Sequence, residues 1–449
     1  MTQNTDVHTP SAPLPPTLRS PEMRRILASS FIGSTIEFYD FLIYVTASAV
    51  VFSRLFFTEL DPITATIASF GTLAVGYLAR PIGGILFGHL GDRVGRKKVL
   101  IASMLVMGSA TVLIGILPTT EQVGPMAVVM LVALRIIQGI AVGGEWGGAV
   151  LIALETAHPN KRGFAGAFAN FGAPLGSILA AGAFSIVSLL PDDQFFAWGW
   201  RLPFLVSAVL VVLALFIRLR VSETPLFKEL KSRAEVPRIP IVEVLHRHRR
   251  AVLIGLAAVV SHHTISGLAN AWAVSHAVSL GVDQASLLGA KSGTSVGMLL
   301  GAVVTAYLCD RVGRKPIIIA GIGAAVIWAL PMMMLVDTGT LGGFIAGVGV
   351  AETIQGAILG PLAAYTAELF PTAVRYTGAS LCFQLSSTIG AGLFPLAVTS
   401  FLAATGGNIY IVAAAWIAFL LVCLIAVASA RDGRNRDLRQ AGPAPTSRV

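Results

Sequence analysis

Long apolar runs, separated by short polar or turn-rich breaks, fill most of the chain. Each run can supply the roughly 20 apolar residues that an α-helix needs to cross a lipid bilayer. The pattern therefore predicts an all-α polytopic membrane protein with twelve transmembrane helices. The predicted spans are residues 26–52, 63–89, 98–117, 125–154, 163–190, 200–218, 251–280, 286–309, 315–336, 341–367, 376–403 and 408–430.

Composition agrees with this pattern, because 55% of the 449 residues are hydrophobic and only 12% are charged. The mean hydropathy of +0.78 means far more apolar side chain than one soluble core can enclose. The three cysteines are widely spaced, without metal-ligand or disulfide-framework spacing. The sequence has no phosphate-binding G-x-x-x-x-G-K-[ST] loop and no catalytic serine or cysteine constellation. We therefore expect no enzymatic activity, no metal and no cofactor.

Basic residues are distributed unequally between the two sides of the predicted spans. On the side of the N-terminus lie 27 of the 32 lysines and arginines, whereas the other side holds only Arg54. The positive-inside rule then predicts that both termini are cytoplasmic, in a multi-pass protein of the inner cell membrane. The net charge of +9 reflects this orientation and contact with the lipid bilayer, so we expect no nucleic-acid partner. We also expect the protein to be a monomer.

The spans fall into two groups of six. The predicted organisation is a disordered cytoplasmic tail, an N-terminal six-helix bundle, a basic cytoplasmic linker, a C-terminal six-helix bundle and a cytoplasmic tail, at residues 1–25, 26–218, 219–250, 251–430 and 431–449. The two bundles repeat each other in sequence. The segment from Gly88 to Lys97, G-H-L-G-D-R-V-G-R-K, returns as A-Y-L-C-D-R-V-G-R-K from Ala306 to Lys315.

Two further landmarks repeat at nearly the same offset. Arg135-Ile-Ile-Gln138-Gly139 in span 4 corresponds to Glu352-Thr-Ile-Gln355-Gly356 in span 10, and Glu155 with Arg162 corresponds to Glu368 with Arg375. Parallel repeats of this kind predict two pseudo-symmetric bundles about an axis normal to the membrane. A substrate site is then expected between the bundles, near the midplane.

These landmarks resemble the major facilitator superfamily, and the G-x-L-x-D-R-x-G-R-K loop at Gly88 carries the resemblance most clearly. Within that superfamily the chain resembles the metabolite:proton symporter family. The motifs concerned are Ile36-Glu-Phe-Tyr-Asp-Phe41, Arg80-Pro-Ile-Gly-Gly84, Arg135-Ile-Ile-Gln-Gly139, Gly143-Gly-Glu-Trp-Gly-Gly148 and Trp198-Gly-Trp-Arg-Leu-Pro-Phe204. The resemblance implies the major facilitator fold and transport by alternating access.

Charged residues at membrane depth are costly and are therefore functional candidates. Asp40 and Arg135 lie at similar predicted depth, so their pairing is expected. A proton on Asp40 would release Arg135, and the resemblance assigns the matching residues this coupling role; the alternative is a permanent ion pair that fixes helix packing. Glu37 and Tyr44 lie on the same face of span 1 as Asp40, and Glu37 joins the proton-coupling candidates.

Arg80 and Lys291 are candidate anchors for an anionic substrate. Alternatively, Arg80 pairs with Glu37 as a structural bridge and Lys291 extends to the membrane interface. Glu352 is a second proton site or the partner of a cation. The remaining substrate-binding candidates, Tyr44, Gln138, Glu145, Glu352 and His262, line the cavity or bond helices to one another.

The two Asp-Arg loops and the acidic and basic residues after spans 4 and 10 predict a conformational gate on the cytoplasmic side, with solvated loops as the alternative. The gate candidates are Gly88, Asp92, Arg93, Gly95, Arg96, Glu155, Arg162, Asp310, Arg311, Gly313, Arg314, Glu368 and Arg375.

Together these features predict a secondary active transporter that takes up a small organic metabolite by proton symport, with the proton as the coupling ion. The candidate anchoring cations favour a carboxylate such as shikimate, 2-oxoglutarate or citrate. Symport of a zwitterion such as proline or betaine is the first alternative, and drug/proton antiport is the second. A non-transporting sensor is disfavoured by the retained coupling pair and both gate loops.

Overall fold

A computed structural model describes residues 21–158, 161–219 and 240–430. Within these residues, twelve helices are long and apolar enough to cross a membrane, which confirms the predicted all-α fold. In chain order they are α1 Pro21–Val50, α2 Pro62–Val94, α3 Arg96–Gly115, α4 Met126–Thr156, α5 Arg162–Val187 and α6 Gly199–Leu219, followed by α7 Arg249–Ser279, α8 Gln284–Val312, α9 Arg314–Asp337, α10 Leu341–Glu368, α11 Thr372–Leu402 and α12 Ile409–Ala428. Residues 1–20 and 431–449 of the predicted tails and most of the predicted linker lie outside the described residues. Residues 21–25, predicted as the end of the disordered tail, are instead the first residues of α1.

The last helix of each bundle ends on the same side of the molecule, which we call the terminal side. There Lys97 Nζ donates to the carbonyl of Leu219 at 2.8 Å, and Lys315 Nζ donates to the carbonyl of Ala430 at 2.6 Å. A short helix, Pro240–Arg247, precedes α7 and packs through Val244 against Phe370. We call the other membrane face the opposite side.

Each bundle is held together by helices that approach at glycine. A Cβ at Gly83 of α2 would lie 1.9 Å from the carbonyl oxygen of Ile140 in α4, so only glycine permits this contact. The second bundle repeats the arrangement, because a Cβ at Gly301 of α8, the counterpart of Gly83, would lie 2.4 Å from the carbonyl oxygen of Thr353 in α10. The sequence repeat is thus a repeat of backbone packing.

The outer faces of the helices are apolar, while many polar groups are internal. Ile186, Val209, Ile327 and Ile425 are each more than two-thirds exposed on the isolated chain. In a bilayer these faces contact lipid, where they need no protein partner. The polar residues therefore concentrate inside the bundles and between them.

The bundles contact each other mainly through α2 with α11 and α5 with α8. Two spanning helices of the second bundle contain π-helical segments, Leu268–Trp272 in α7 and Thr388–Leu393 in α11. These segments lie side by side, since a Cβ at Gly267 would be 2.4 Å from the carbonyl oxygen of Gly390. The π-helical segment of α11 lies where this helix faces α2 of the other bundle.

Candidate functional site

Asp40 lies inside the first bundle, between α1, α3 and α6, and is only 1% exposed. Its Oδ1 accepts a 2.6 Å hydrogen bond from Ser207 Oγ, and its Oδ2 lies 3.1 Å from Thr111 Oγ1. A buried carboxylate needs such donors to stay charged. Ser207 and Thr111 come from different helices, and neither was among the predicted site residues.

The predicted direct pair between Asp40 and Arg135 is not formed in this structure, because two polar side chains separate them. Gln138 Nε2 donates to Thr111 Oγ1 at 2.7 Å, and Arg135 Nη1 donates to Gln138 Oε1 at 3.1 Å. A hydrogen-bonded chain therefore runs from Asp40 through Thr111 and Gln138 to Arg135. The two charges are coupled through neutral groups.

Arg135 is buried against aromatic rings. Its guanidinium carbon lies 4.0 Å from the centroid of the Tyr44 ring and 4.9 Å from that of Phe41. Its Nε and Nη2 make no hydrogen bond in the structure. Tyr44 itself donates to Thr72 Oγ1 at 2.7 Å and is fully buried. Tyr44 and Gln138, predicted as substrate-binding residues, therefore lie within the first bundle and do not border the space between the bundles.

Arg80 does lie between the bundles. Its Nη1 donates to Ser387 Oγ of α11 at 3.1 Å, and its guanidinium lies over the rings of Phe41 and Tyr77 at 4.6 and 4.5 Å. It is separated from the end of α2 by 14 residues, or about 21 Å of helix, which places it near mid-membrane. Of the predicted binding residues, Arg80 has the best position for contact with a ligand between the bundles.

Glu37 and Glu145 meet each other beside a cation that the sequence reasoning missed. Their carboxyl groups are within hydrogen-bonding distance, and Arg218 Nη1 of α6 lies 3.3 Å from Glu145 Oε1. The guanidinium reaches them across Gly33, where a Cβ would lie 2.1 Å from Nη2. Glu145 is 1% exposed, so it does not line a cavity here as one prediction held. The sequence signal for Arg218 was Gly33, one turn before Glu37, because the absence of a side chain there leaves room for the guanidinium.

The predicted residues of the second bundle also pair internally. Lys291 Nζ forms an ion pair with Glu352 Oε1, so Lys291 does not extend to the interface and Glu352 partners a cation. Glu352 is 1% exposed and its Oε2 makes no hydrogen bond. His262 is buried, with Nδ1 3.2 Å from the carbonyl oxygen of Gln355 and its ring packed against His263.

The gate candidates assemble into clusters on the terminal side that join the two bundles. Asp92 of α2 accepts hydrogen bonds from three groups at the start of α11, namely Tyr376 N at 3.3 Å, Thr377 N at 3.0 Å and Thr377 Oγ1 at 2.8 Å. Its repeat counterpart Asp310 accepts from Gly163 N at 2.9 Å and Phe164 N at 3.0 Å. Each loop aspartate therefore binds backbone N–H groups of the other bundle.

Ion pairs reinforce these contacts. Glu155 Oε1 lies 3.4 Å from Arg96 Nη2 and 3.1 Å from Arg375 Nη1, so one carboxylate binds an arginine from each bundle. In the second bundle, Arg314 Nη2 lies 3.1 Å from Asp310 and 3.3 Å from Glu368. These arginines and carboxylates are almost fully buried, as a closed interface requires.

The loop glycines shape this cluster. Gly95 and Gly313 have φ of 123° and 114°, in the region that favours glycine, and each is the single residue between two spanning helices. Gly88 permits close approach, because a Cβ there would lie 2.8 Å from Thr377 Cα. Arg162 begins α5 and lies within electrostatic range of Arg375.

Two of the gate candidates do not join the bundles. Arg93 Nη1 is 3.5 Å from His89 on its own helix, and Arg311 contacts Tyr307 on its own helix. Both side chains face outward because they occupy positions next to the buried aspartates. These two arginines fit the alternative prediction better, in which the residues are solvated and do not form a gate.

An aromatic contact that was not predicted lies between Arg80 and the gate. Trp146 of α4 and Phe383 of α11 stack at a centroid distance of 3.8 Å and an angle of 11°. Tyr376 donates to the carbonyl of Gly144, and Gln384 Nε2 donates to that of Val142 at 3.2 Å. Together with the gate, these contacts close the terminal side of the space between the bundles.

Comparison with known families settles the identity of this arrangement. The sequence profile described as Major Facilitator Superfamily matches residues 30–395. The chain belongs to the major facilitator superfamily. As a member of this superfamily it is a multi-pass membrane transporter and not an enzyme.

Similar proteins within the superfamily are metabolite transporters. The chain is 38% identical to the inner membrane metabolite transport protein YhjE of Escherichia coli over 83% of this chain and 86% of that protein. It is 35% identical to the shikimate transporter of Escherichia coli (92% and 95%) and 30% identical to the proline/betaine transporter of Salmonella typhimurium (94% and 86%). These relatives share this chain's superfamily and most of its length.

Solved structures of the superfamily share the fold. A double tryptophan mutant of XylE aligns with a TM-score of 0.77 at 17% identity, covering 93% of this chain and 98% of that chain. The proton:xylose symporter XylE bound to 6-bromo-6-deoxy-D-glucose aligns with a TM-score of 0.73 at 18% identity, covering 90% and 94%. This likeness confirms the major facilitator architecture.

Proposed function

We propose that the protein takes up a small organic carboxylate by proton-coupled symport, through alternating access between the two bundles. The observation that carries the proposal is the buried chain from Asp40 through Thr111 and Gln138 to Arg135. A buried carboxylate linked to a buried arginine by neutral donors has two stable hydrogen-bonding patterns, one with and one without a proton.

The proton on Asp40 changes the contacts of Thr111. A charged Asp40 attracts the Thr111 hydroxyl proton, and Gln138 then orients its carbonyl toward Arg135. A protonated Asp40 no longer needs that donor, so the chain is released and Arg135 gains freedom to move. The protonation state thereby biases the packing of α1 against α4, which is the kind of two-state element that alternating access needs.

The terminal side is proposed to face the cytoplasm, because it carries most of the chain's basic residues. The structure then represents a state closed toward the cytoplasm.

Arg80 is proposed to bind the carboxylate of the substrate. Its planar fork matches a carboxylate with two parallel hydrogen bonds, and its contact with Ser387 places it where both bundles can close around a ligand. The relative named as a shikimate transporter supports a carboxylate. A betaine site would need free aromatic faces for the quaternary ammonium, but Arg80 covers Phe41 and Tyr77 in this structure.

Uptake by purified protein in liposomes tests this proposal. Labelled shikimate, 2-oxoglutarate, citrate, proline and betaine are offered with an acidic exterior, and external pH is recorded without an imposed gradient. We expect accumulation of a carboxylate together with external alkalinisation. Accumulation of betaine or proline alone would assign a zwitterion, and proton release on adding a hydrophobic cation would indicate antiport; either result would overturn the proposal.

A further inference from the structure

Two carboxyl groups of the first bundle face each other without a donor of their own. The Arg218 guanidinium that binds Glu145 of α4 packs over Gly33 of α1, one turn before Glu37, and the carboxyl groups of Glu37 and Glu145 are neighbours. Glu145 Oε1 is bound by Arg218, but Glu145 Oε2 is buried and receives no hydrogen bond from any donor in the described residues. Glu37 is half-buried. The neighbour of Glu145 on the side of α1 is therefore another carboxyl group and not a hydrogen-bond donor.

A single proton resolves this arrangement. Two carboxylates at hydrogen-bonding distance repel strongly in a medium of low dielectric constant, so they cannot both be charged. One proton between them converts the repulsion into a short, charge-assisted hydrogen bond. The protonated pair then carries one negative charge, which Arg218 balances.

The surrounding charged groups identify what controls this proton. From α6, Arg218 is fixed by Glu145 and by the carbonyl of Leu100 at 3.1 Å. On α1 itself, Asp40 is turned away toward α3 and α6. From α11, Tyr376 donates to the backbone of α4 and not to the pair. Among the residues that the structure describes, the other cation near Glu37 is Arg80 of α2.

Arg80 is held away from the pair in this closed state. It lies within electrostatic range of Glu37, yet no ion pair joins the two side chains among the described residues, because Arg80 donates to Ser387 of the other bundle. When the bundles separate on the terminal side, Ser387 moves away with α11. Arg80 is then free to bind Glu37.

We propose that Glu37 and Glu145 form a second proton-binding site, distinct from Asp40, and that Arg80 expels its proton. While Ser387 or a substrate carboxylate occupies Arg80, Glu37 keeps the shared proton. After substrate leaves toward the terminal side, Arg80 pairs with Glu37 and the proton passes to water on that side. Substrate and proton therefore strengthen each other's binding, as symport requires. This inference rests on the proposed function through the role of Arg80.

Infrared spectroscopy of the purified full-length protein tests the site without using transport. We expect the carbonyl stretch of a buried protonated carboxylic acid, recognised by its shift in D2O, at a pH where an exposed carboxyl is ionised. The band is measured in an Asp40→Asn background, because a protonated Asp40 is also a buried carboxylic acid. In that background Glu37→Gln and Glu145→Gln should each remove the band, whereas the exposed control Glu59→Gln should leave it. Persistence of the band in either of the first two variants would overturn the proposal. If Glu145→Gln does not fold, Glu145→Asp should shift the band, and an unshifted band would count equally against it.

The proton-to-substrate ratio, obtained from the substrate gradient that just balances an imposed pH gradient, tests the role in coupling. We expect this ratio to fall by one proton in Glu37→Gln and to remain unchanged in Glu59→Gln. An unchanged ratio in Glu37→Gln would overturn the second site as a coupling site. The infrared band does not depend on Asp40 or on transport. Failure of the symport proposal would therefore leave the band in place, whereas failure of the second proton site would not.

Discussion

Replacing Asp92 by Asn should open the terminal side. Asp92 is buried and accepts hydrogen bonds from Tyr376 N, Thr377 N and Thr377 Oγ1, all in the other bundle. An asparagine keeps one acceptor oxygen but has no charge and presents an amino group to the remaining donors. The closed state therefore loses contacts that do not exist once the bundles have separated.

The magnitude follows from the number of donors affected. Hydrogen bonds to a charged group contribute about 1.5–3 kcal/mol each, and the asparagine can keep roughly one of the three. Allowing for solvation of the donors in the open state, we expect the closed state to lose about 2–3 kcal/mol. At 1.4 kcal/mol per tenfold change, the ratio of terminal-open to closed molecules rises about 30–150-fold.

Distances between spin labels on the two bundles measure this ratio. Val94 and Val312 are exposed counterparts on the terminal side, and cysteines there can carry the labels once the three buried native cysteines have been replaced. Asp92→Asn should raise the ratio of long to short distances by about the same 30–150-fold. Asp283→Asn is the matched control, because Asp283 is exposed and caps α8 through Ser286 N at 2.8 Å.

An unchanged distance distribution in Asp92→Asn would refute the gate reasoning. It would mean that Asp92 contributes equally to both states, as a residue that only stabilises the end of α2 would. Asp310→Asn supplies an internal comparison. It should shift the distribution in the same direction but less far, because Asp310 accepts from two groups of the other bundle and not three.

Three further substitutions test packing, substrate binding and the second bundle. Gly83→Val should abolish the monodisperse peak in size-exclusion chromatography, because its Cβ would overlap α4. Gly71→Val should behave as wild type, because nothing lies within 4 Å of a Cβ there. Equal behaviour of the two variants would contradict the packing. Arg80→Lys loses the bidentate fork and should raise the KM for a carboxylate about 10-fold with little change in kcat, and an unchanged KM would remove Arg80 from the binding site. Lys291→Met leaves the buried carboxylate of Glu352 unpaired and should lower the free energy of unfolding by about 3–5 kcal/mol, measured by thermal unfolding. Adding Glu352→Leu should restore much of this loss. A Lys291→Met protein as stable as wild type would show that the ion pair is not needed.

The fold could be predicted from sequence because membrane insertion imposes long apolar runs and because the two halves repeat. The repeat also indicated the gate candidates, since Asp92 and Asp310 occupy matching positions in the two bundles. Their partners could not be predicted in the same way. The groups that Asp92 binds are mostly backbone N–H groups at the start of α11, and backbone donors leave no mark in the sequence.

The sequence indicated several of the residues of the candidate site but not which of them contact each other. Asp40 and Arg135 were expected to pair because they lie at similar depth, but depth along two helices does not reveal that Thr111 and Gln138 stand between them. Rotation about the helix axis decides which side chains meet, and packing of all six helices sets that rotation. Arg218 was missed for a related reason, because its long side chain reaches the pair from the terminal end of α6.

Transport by Asp40→Asn in liposomes tests the central claim most directly, with accumulation driven by a pH gradient and counterflow exchange measured in the same preparation. The account predicts that accumulation is lost, because the variant cannot cycle a proton, while exchange of substrate across the membrane continues. Accumulation at the wild-type level in Asp40→Asn would contradict it.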